Sequence, residues 1–148
     1  MSSNIFVLLY YKFTPVKDAK FEAKQHKLVC KGIGLNGRII IGEEGINGTV
    51  AGNRAQLKEY TDYMDNHPDF KGIVFKRSVA PKMPFHKMIV KYRPEIVTLG
   101  KKVDLKKTGK YLKPEQMHEL FEKGEDMVVV DMRNNYEWEV GRFDGAIQ

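Results

Sequence analysis

The chain has 148 residues, with 25 Lys and Arg against 19 Asp and Glu, a formal charge of +6; 42% of residues are hydrophobic and 30% charged. That composition excludes a disordered tail, a collagen-like repeat and a disulfide-stapled mini-protein. The length suits one domain, or one domain and part of another.

Ile5–Phe13 is rich in branched and aromatic residues and is expected as a buried strand. Thr14-Pro15 then opens a helix, with Thr14 as cap and Pro15 in the first helical position. Its inner face is expected on Phe21, Lys24, Leu28 and Val29, and Gly32 or Gly34 ends it. Residues 38–41 and 46–51 are short strands joined by a glycine-rich turn around Glu43-Glu44-Gly45. Asn53 caps a second helix, on which Leu57, Tyr60, Thr61 and Met64 fall at helical spacing; it stops near residues 66–68. Residues 73–79 are the fourth strand. The order β-α-β-β-α-β predicts an α+β fold, the ferredoxin-like βαββαβ sandwich, which hosts many functions.

Residues 85–97 are expected as a further strand. Alternation places Lys87, Ile89, Lys91 and Arg93 on one face and His86, Met88, Val90 and Tyr92 on the other. A lysine-rich connector follows. Pro114 starts a third helix with Met117, Leu120 and Phe121 inward, closed by Gly124. Residues 127–130 form a compact apolar strand ending at Asp131, and residues 134–140 a short helix. The expected organisation is an N-terminal domain over 1–97 that includes the basic strand, a linker over 98–113, and a second domain beginning at 114.

Charge divides the chain in the same places. Residues 1–81 carry 12 basic and 8 acidic side chains, 82–113 carry 10 basic against Glu95 and Asp104, and 114–148 carry 3 basic against 9 acidic. The net therefore swings from +8 to −6 at Pro114, which reads as a boundary between folding units. The apolar run 127–130 reads as a central parallel strand, yet its own segment supplies no partner strand. Residues 114–148 are therefore expected to be the truncated start of an α/β domain, because some 35 residues rarely bury enough surface to fold alone.

The basic stretch is a candidate RNA interface. Each Lys or Arg that neutralises a phosphate releases a counterion, while phosphate contacts alone read no sequence. Lys87, Lys91 and Arg93 would present a fixed row, and Lys101, Lys102, Lys106, Lys107 and Lys110 could follow a backbone flexibly; the competing reading is a solvated strand face and linker. In the segment from Gly42 to Thr49, backbone N–H groups could form an anion nest, and Asn47 or Thr49 could touch a base or ribose. A tight hairpin accounts for the same glycines, with a carboxylate such as Glu44 beside Arg38 as a candidate ion pair holding it.

An acylphosphatase activity shares the strand order but needs a glycine-rich phosphate loop after the first strand. Here that loop is Lys12-Phe13-Thr14-Pro15-Val16, without glycine and with one N–H removed by proline, so the activity is rejected. His26, His67 and His118 are expected at the surface, leaving His86, beside the basic row, as the one histidine considered for catalysis or base contact. Tyr10, Tyr11 and Tyr92 are either core residues or stacking surfaces for a flipped-out base. Asp131 and Arg133 are expected to form an internal ion pair.

No metal triad, flavin loop or haem pattern is visible, so no cofactor is expected from these residues. The longest apolar run, Ile5 to Tyr11, is too short to span a bilayer, and no signal-peptide pattern surrounds it. Cys30 is the only cysteine, so no intrachain disulfide can form and the cytoplasm is the expected compartment.

Val128-Val129-Val130-Asp131-Met132-Arg133 and the stretch from Tyr136 to Ile147 resemble the opening of a rhodanese-like domain, with Arg142 where histidine is usual. Leu9-Tyr10-Tyr11-Lys12-Phe13, Gly37-Arg38-Ile39, Glu44-Gly45-Ile46-Asn47-Gly48-Thr49 and Pro84-Phe85-His86-Lys87-Met88-Ile89-Val90-Lys91 look like the bacterial tRNA uridine hydroxylase family. Arg93-Pro94-Glu95-Ile96-Val97 and Thr108-Gly109-Lys110-Tyr111-Leu112 extend the likeness over nearly the whole chain. The resemblance implies hydroxylation of the tRNA wobble uridine at C5 with molecular oxygen as co-substrate. It also implies an anticodon stem-loop as partner, and Asp131 and Arg133 as organisers of the rhodanese-like loop. The family's cysteine, a persulfide-type nucleophile, lies in a loop beyond the Gly-Ala; Cys30 is in the wrong domain to replace it. Residues 1–148 alone are therefore not expected to be a competent enzyme. The alternatives are a rhodanese-type sulfurtransferase with an N-terminal specificity module, and an RNA-binding module in its own right.

Overall fold

In a computed structural model that describes residues 4–97, 100, 107 and 109–148, the chain divides into two compact units, Met1–Lys102 and Val103–Gln148. The first unit runs β1 (Ile5–Phe13), α1 (Ala19–Ile33), β2 (Asn36–Gly42), β3 (Gly45–Gly52), α2 (Arg54–Asn66), β4 (Lys76–Ala80) and β5 (Met88–Tyr92). The sheet order is β4-β1-β3-β2-β5. Each neighbouring pair among its first four strands is antiparallel, as the ferredoxin-like pattern requires, and β5 is added parallel to β2.

The period of two along each strand sorts the side chains between a helix-covered face and an open one. Leu8 and Tyr10 of β1, Ile39 and Ile41 of β2, Ile46 and Val50 of β3, and Met88 and Val90 of β5 are buried beneath the helices. Helix α2 closes that core with Leu57, Tyr60 and Met64, and starts at the expected cap: Asn53 accepts from the Gln56 N–H at 2.9 Å while Gln56 accepts from the Asn53 N–H at 2.8 Å.

Helix α1 departs from expectation at both its start and its face. Its cap is Asp18, which accepts from the Phe21 N–H at 3.0 Å. Thr14 and Val16 instead donate their N–H groups to the carbonyls of Glu44 and Glu43, at 2.9 and 3.0 Å. Those long-range bonds hold residues 14–16 in a loop. The buried residues are Ala19, Ala23, His26 and Cys30, whereas Phe21 and Leu28 are 58% and 64% exposed. Small residues let the helix lie close on the sheet, and that closeness decided the face over side-chain bulk.

His26, expected at the surface, is fully buried. Its Nε2 lies 2.8 Å from the Tyr60 hydroxyl, which is also hydrogen-bonded to the Tyr10 hydroxyl. His67 is largely buried as well, with its Nε2 3.2 Å from Glu22, which in turn lies 3.5 Å from His26 Nδ1. Among the four histidines His86 and His118 are exposed.

The strand expected over 85–97 is limited to Met88–Tyr92. His86 precedes it, and after Arg93 donates to Ile41 at 3.0 Å the chain leaves the ladder. Pro94 has no N–H to continue it, and Ile96 is drawn onto the β2–β3 hairpin: its N–H donates to Glu44 at 2.7 Å and its carbonyl accepts from Asn47 at 3.2 Å.

The second unit contains α3 (Pro114–Glu122) and α4 (Asn135–Val140). The strand expected over 127–130 is reduced to one parallel bridge between Val130 and Ile147. Asp131 donates to the Ile147 carbonyl and Ile147 to that of Val129, at 2.8 and 2.9 Å. Among the described residues only Ile147 stands alongside, so no longer ladder forms. Asp131 and Arg133 make a bidentate pair with contacts of 2.6 to 3.1 Å, and Arg133 also donates to the Gly141 carbonyl at 2.7 Å. The pairing holds the Asp131 carboxyl below its ordinary range. Arg142 places its guanidinium 4.7 Å from the Trp138 ring centre. No described residue of this unit is buried. Among the described residues no helix is long and apolar enough to cross a membrane.

Candidate nucleic-acid interface

The cations of the first unit gather where β5 forms the sheet edge. Strand β5 lies against β2 on one side only, so its other side faces a groove whose far wall is the C-terminal half of α1. Lys27 and Lys31 of α1, four residues apart and hence on one helix face, line that groove together with His86, Lys87 and Lys91, and no carboxylate lines it. Lys31 also sits in the last turn of α1, where a cation offsets the helix dipole.

Lys87 is exposed and its carbonyl accepts from the Gly37 N–H at 3.2 Å, which fixes the start of the strand. Lys91 is paired in register with Ile40 and is exposed between buried Val90 and half-buried Tyr92. Arg93, also exposed, is held through its own N–H on Ile41. The backbone thus presents Lys87, Lys91 and Arg93 along β5 and the residues that flank it. Lys107 and Lys110 are exposed residues of the second unit, and Lys101, Lys102 and Lys106 lie outside the described residues. The participation of Lys27 and Lys31 was not anticipated. Its signal was their i,i+4 spacing beside the buried face of Ala23 and Cys30, and it required the helix face to be assigned correctly.

The hairpin residues divide by role. Glu44 and Asn47 are engaged with Ile96 and act as a clamp on the segment after β5. Arg38 and Thr49 face each other across β2 and β3, and no ion pair joins Arg38 to a hairpin carboxylate among the described residues. Glu43 accepts from the Tyr92 hydroxyl at 2.7 Å, a bond that lowers the Glu43 pKa and raises that of Tyr92. Of the three tyrosines considered for stacking, Tyr10 is core and Tyr92 is tied to Glu43; Tyr11 stands 51% exposed on the open face.

Cys30 is fully buried, and burial pushes its thiol up to about 12. Among the described residues no group of three His, Cys, Asp or Glu side chains converges as metal ligands would. The loop after β1 offers no phosphate cradle: the Thr14 and Val16 N–H groups are spent on the hairpin carbonyls and Pro15 has none.

Proteins described as tRNA uridine(34) hydroxylase align along the chain. Those of Streptococcus suis and Lactococcus lactis are 45% and 43% identical over 100% of it, and that of Bacillus mycoides is 45% identical over 96%. The alignments cover 47%, 47% and 45% of those proteins, so the chain spans about half the length of the curated relatives it matches. Among solved structures, the dark-state BLUF protein BlrB superposes with a TM-score of 0.51 at 15% identity, over 63% of this chain and 76% of that one, which is a likeness of fold alone. The profile of the UPF0176 acylphosphatase like domain matches residues 5–96. That span opens at the first residue of β1 and closes at Ile96, the residue clamped by Glu44 and Asn47, and the chain belongs to the UPF0176 acylphosphatase like domain family.

Proposed function

We propose that this chain is the tRNA-holding part of an enzyme that adds a hydroxyl group to the wobble uridine of tRNA at C5, with molecular oxygen as co-substrate. The observation that carries this reading is the groove along β5, whose lining includes Lys27, Lys31, Lys87 and Lys91 and no carboxylate. A tRNA stem is a dense line of phosphates, and a row of cations fixed on a strand matches it without spending side-chain order on sequence. Relatives described as tRNA uridine(34) hydroxylase, aligned from end to end of the chain, supply the choice of RNA and of reaction.

In this reading the anticodon stem-loop lies along Lys87, Lys91 and Arg93, and the lysines at 101, 102, 106, 107 and 110 follow its backbone. His86, exposed within the groove, is the imidazole placed to meet the RNA. The pair Asp131 and Arg133 belongs to the opening of a rhodanese-like domain, whose cysteine would serve the chemistry that buried Cys30 cannot. A tRNA substrate places the reaction in the cytoplasm.

The test is mass spectrometry of tRNA nucleosides from cells lacking the gene. A uridine derivative one oxygen heavier should disappear, return with the uninterrupted reading frame, and fail to return when that frame carries Lys87→Glu with Lys91→Glu. Unchanged nucleosides in the deletion overturn the reading and leave sulfur transfer as the reaction to examine.

A further inference from the structure

We infer that the helix-free face of the sheet is a stacking platform for an unpaired nucleobase of RNA, with Tyr11 and Phe13 as its floor. The inference rests on the RNA-binding reading above and adds a site to it. Strand parity sends Leu9, Tyr11 and Phe13 to the face opposite α1 and α2, where they are 47%, 51% and 37% exposed. The Tyr11 and Phe13 rings meet edge to face, with centroids 6.3 Å apart. Large apolar side chains exposed side by side on one face of an interior strand form a patch of the kind that marks a binding surface.

The neighbours of this floor select the occupant. Across the register, Leu9 lies between Lys76 of β4 and Thr49 of β3, and Thr49 is followed by Arg38 of β2. Tyr11 is followed by Asn47, Ile40 and then Lys91 of β5. The strand residues of this face thus include Lys76, Arg38 and Lys91, and among the described ones no Asp or Glu. A hydrophobic protein partner would have to bury those cations unpaired, at considerable cost. A nucleotide places an uncharged ring on the aromatics and its phosphates among the cations.

Two asparagines set the limits of the platform. Asn36 donates to the Phe85 carbonyl at 2.9 Å, and Asn47 to that of Ile96 at 3.2 Å, so the chain crosses this face at both ends and leaves Leu9, Tyr11 and Thr49 open between. The Arg38 guanidinium and Thr49 hydroxyl make no side-chain hydrogen bond among the described residues, and stand ready for a base edge. The platform admits unpaired bases only, because a base within a helix has both its faces covered by its neighbours. Lys91 both lines the groove at β5 and belongs by register to this face, so one strand of RNA can keep its phosphates at the edge and lay a base inward.

The experiment measures fluorescence anisotropy of a labelled single-stranded oligouridylate, alone and annealed to oligoadenylate, with the 148-residue chain across a salt series. Tyr11→Ala should weaken single-strand binding roughly tenfold, the loss expected for one stacked base, with duplex binding and the salt slope unchanged. Tyr11→Phe should keep wild-type affinity, and Phe13→Ala should repeat the selective loss. Wild-type binding undiminished by Tyr11→Ala overturns the platform while leaving the cationic groove in place, as does an equal loss for single strand and duplex. Absence of wild-type binding to either RNA overturns the RNA-binding reading, and the platform with it.

Discussion

The Glu44 carboxylate accepts the backbone N–H of Ile96 at 2.7 Å, joining the β2–β3 hairpin to a residue 52 positions later. With Asn47 holding the Ile96 carbonyl, both polar groups of one peptide residue are satisfied by side chains of the hairpin, and Ile96 is buried. Arg93 lies at the head of this tethered segment, so the clamp positions a proposed phosphate contact. Glu44→Gln weakens a charge-assisted bond and should cost about 1–2 kcal/mol. Native-state hydrogen exchange should show the Ile96 amide losing protection while the amides of β1 keep theirs. Equal protection in variant and wild type would sink the clamp.

Gly48 makes room for the largest buried ring of the sheet. A Cβ at Gly48 would lie 2.5 Å from the Tyr10 hydroxyl oxygen and 2.6 Å from Cζ, so the ring can reach Tyr60 only because that position has no side chain. Gly48→Ala should destabilise the fold by about 1–3 kcal/mol through displacement of Tyr10. Tyr60→Phe leaves the Tyr10 hydroxyl and His26 Nε2 without their shared partner and should cost about 1–3 kcal/mol. Urea melts of the two variants and of the pair test this. Because both act through the Tyr10 hydroxyl, the double variant should lose less than the sum.

The four strands of the sandwich, the second helix and its Asn53 cap were legible because each rests on local pattern: alternation, helical spacing, a capping residue. The first helix was not. Its buried face of Ala19, Ala23, His26 and Cys30 carries less apolar bulk than Phe21, Leu28 and Val29, and only the closeness of helix to sheet selects it. The loop at Thr14 and the end of β5 at Arg93 are both set by bonds to the β2–β3 strands and their hairpin, far away in sequence, with nothing local to announce them. For the interface, Lys87, Lys91 and Arg93 could be read as a row from their spacing. Lys27, Lys31 and Lys76 join them only once the sheet order is known.

Cys30 offers a direct check on the core. The thiol is fully buried, with its pKa pushed up to about 12 by loss of solvent, so the reactive thiolate is scarce and shielded at neutral pH. Alkylation by iodoacetamide should be slow in the native chain and become fast in urea concentrations that unfold it. Rapid labelling in native buffer would place Cys30 at the surface and refute the assignment of the inner face of α1.

The pair Glu22 and His26 predicts how stability changes with pH. Burial lowers the pKa of His26, against the opposing pull of Glu22, so the folded protein favours the neutral ring. That contribution is complete above the ordinary histidine value of 6.5 and is lost as pH falls through the lowered folded value, because the unfolded chain binds the proton first. Glu22 has a lowered pKa, chiefly through the His26 imidazole 3.5 Å away and further through His67. Its contribution is complete above the ordinary carboxylate value of 4.5 and is lost as pH falls through its own folded value. Both therefore act in the same direction, in successive windows, with His67, Tyr60, Tyr63 and Phe70 as the other groups around the imidazole. Urea midpoints should be level from pH 8 to 7 and fall below pH 6.5, each proton contributing at most about 1.4 kcal/mol per pH unit. His26→Gln should flatten the first part of that fall, and Glu22→Gln the part below pH 4.5. A wild-type midpoint unchanged between pH 8 and pH 5 would show that the buried imidazole does not hold the neutral form assigned to it.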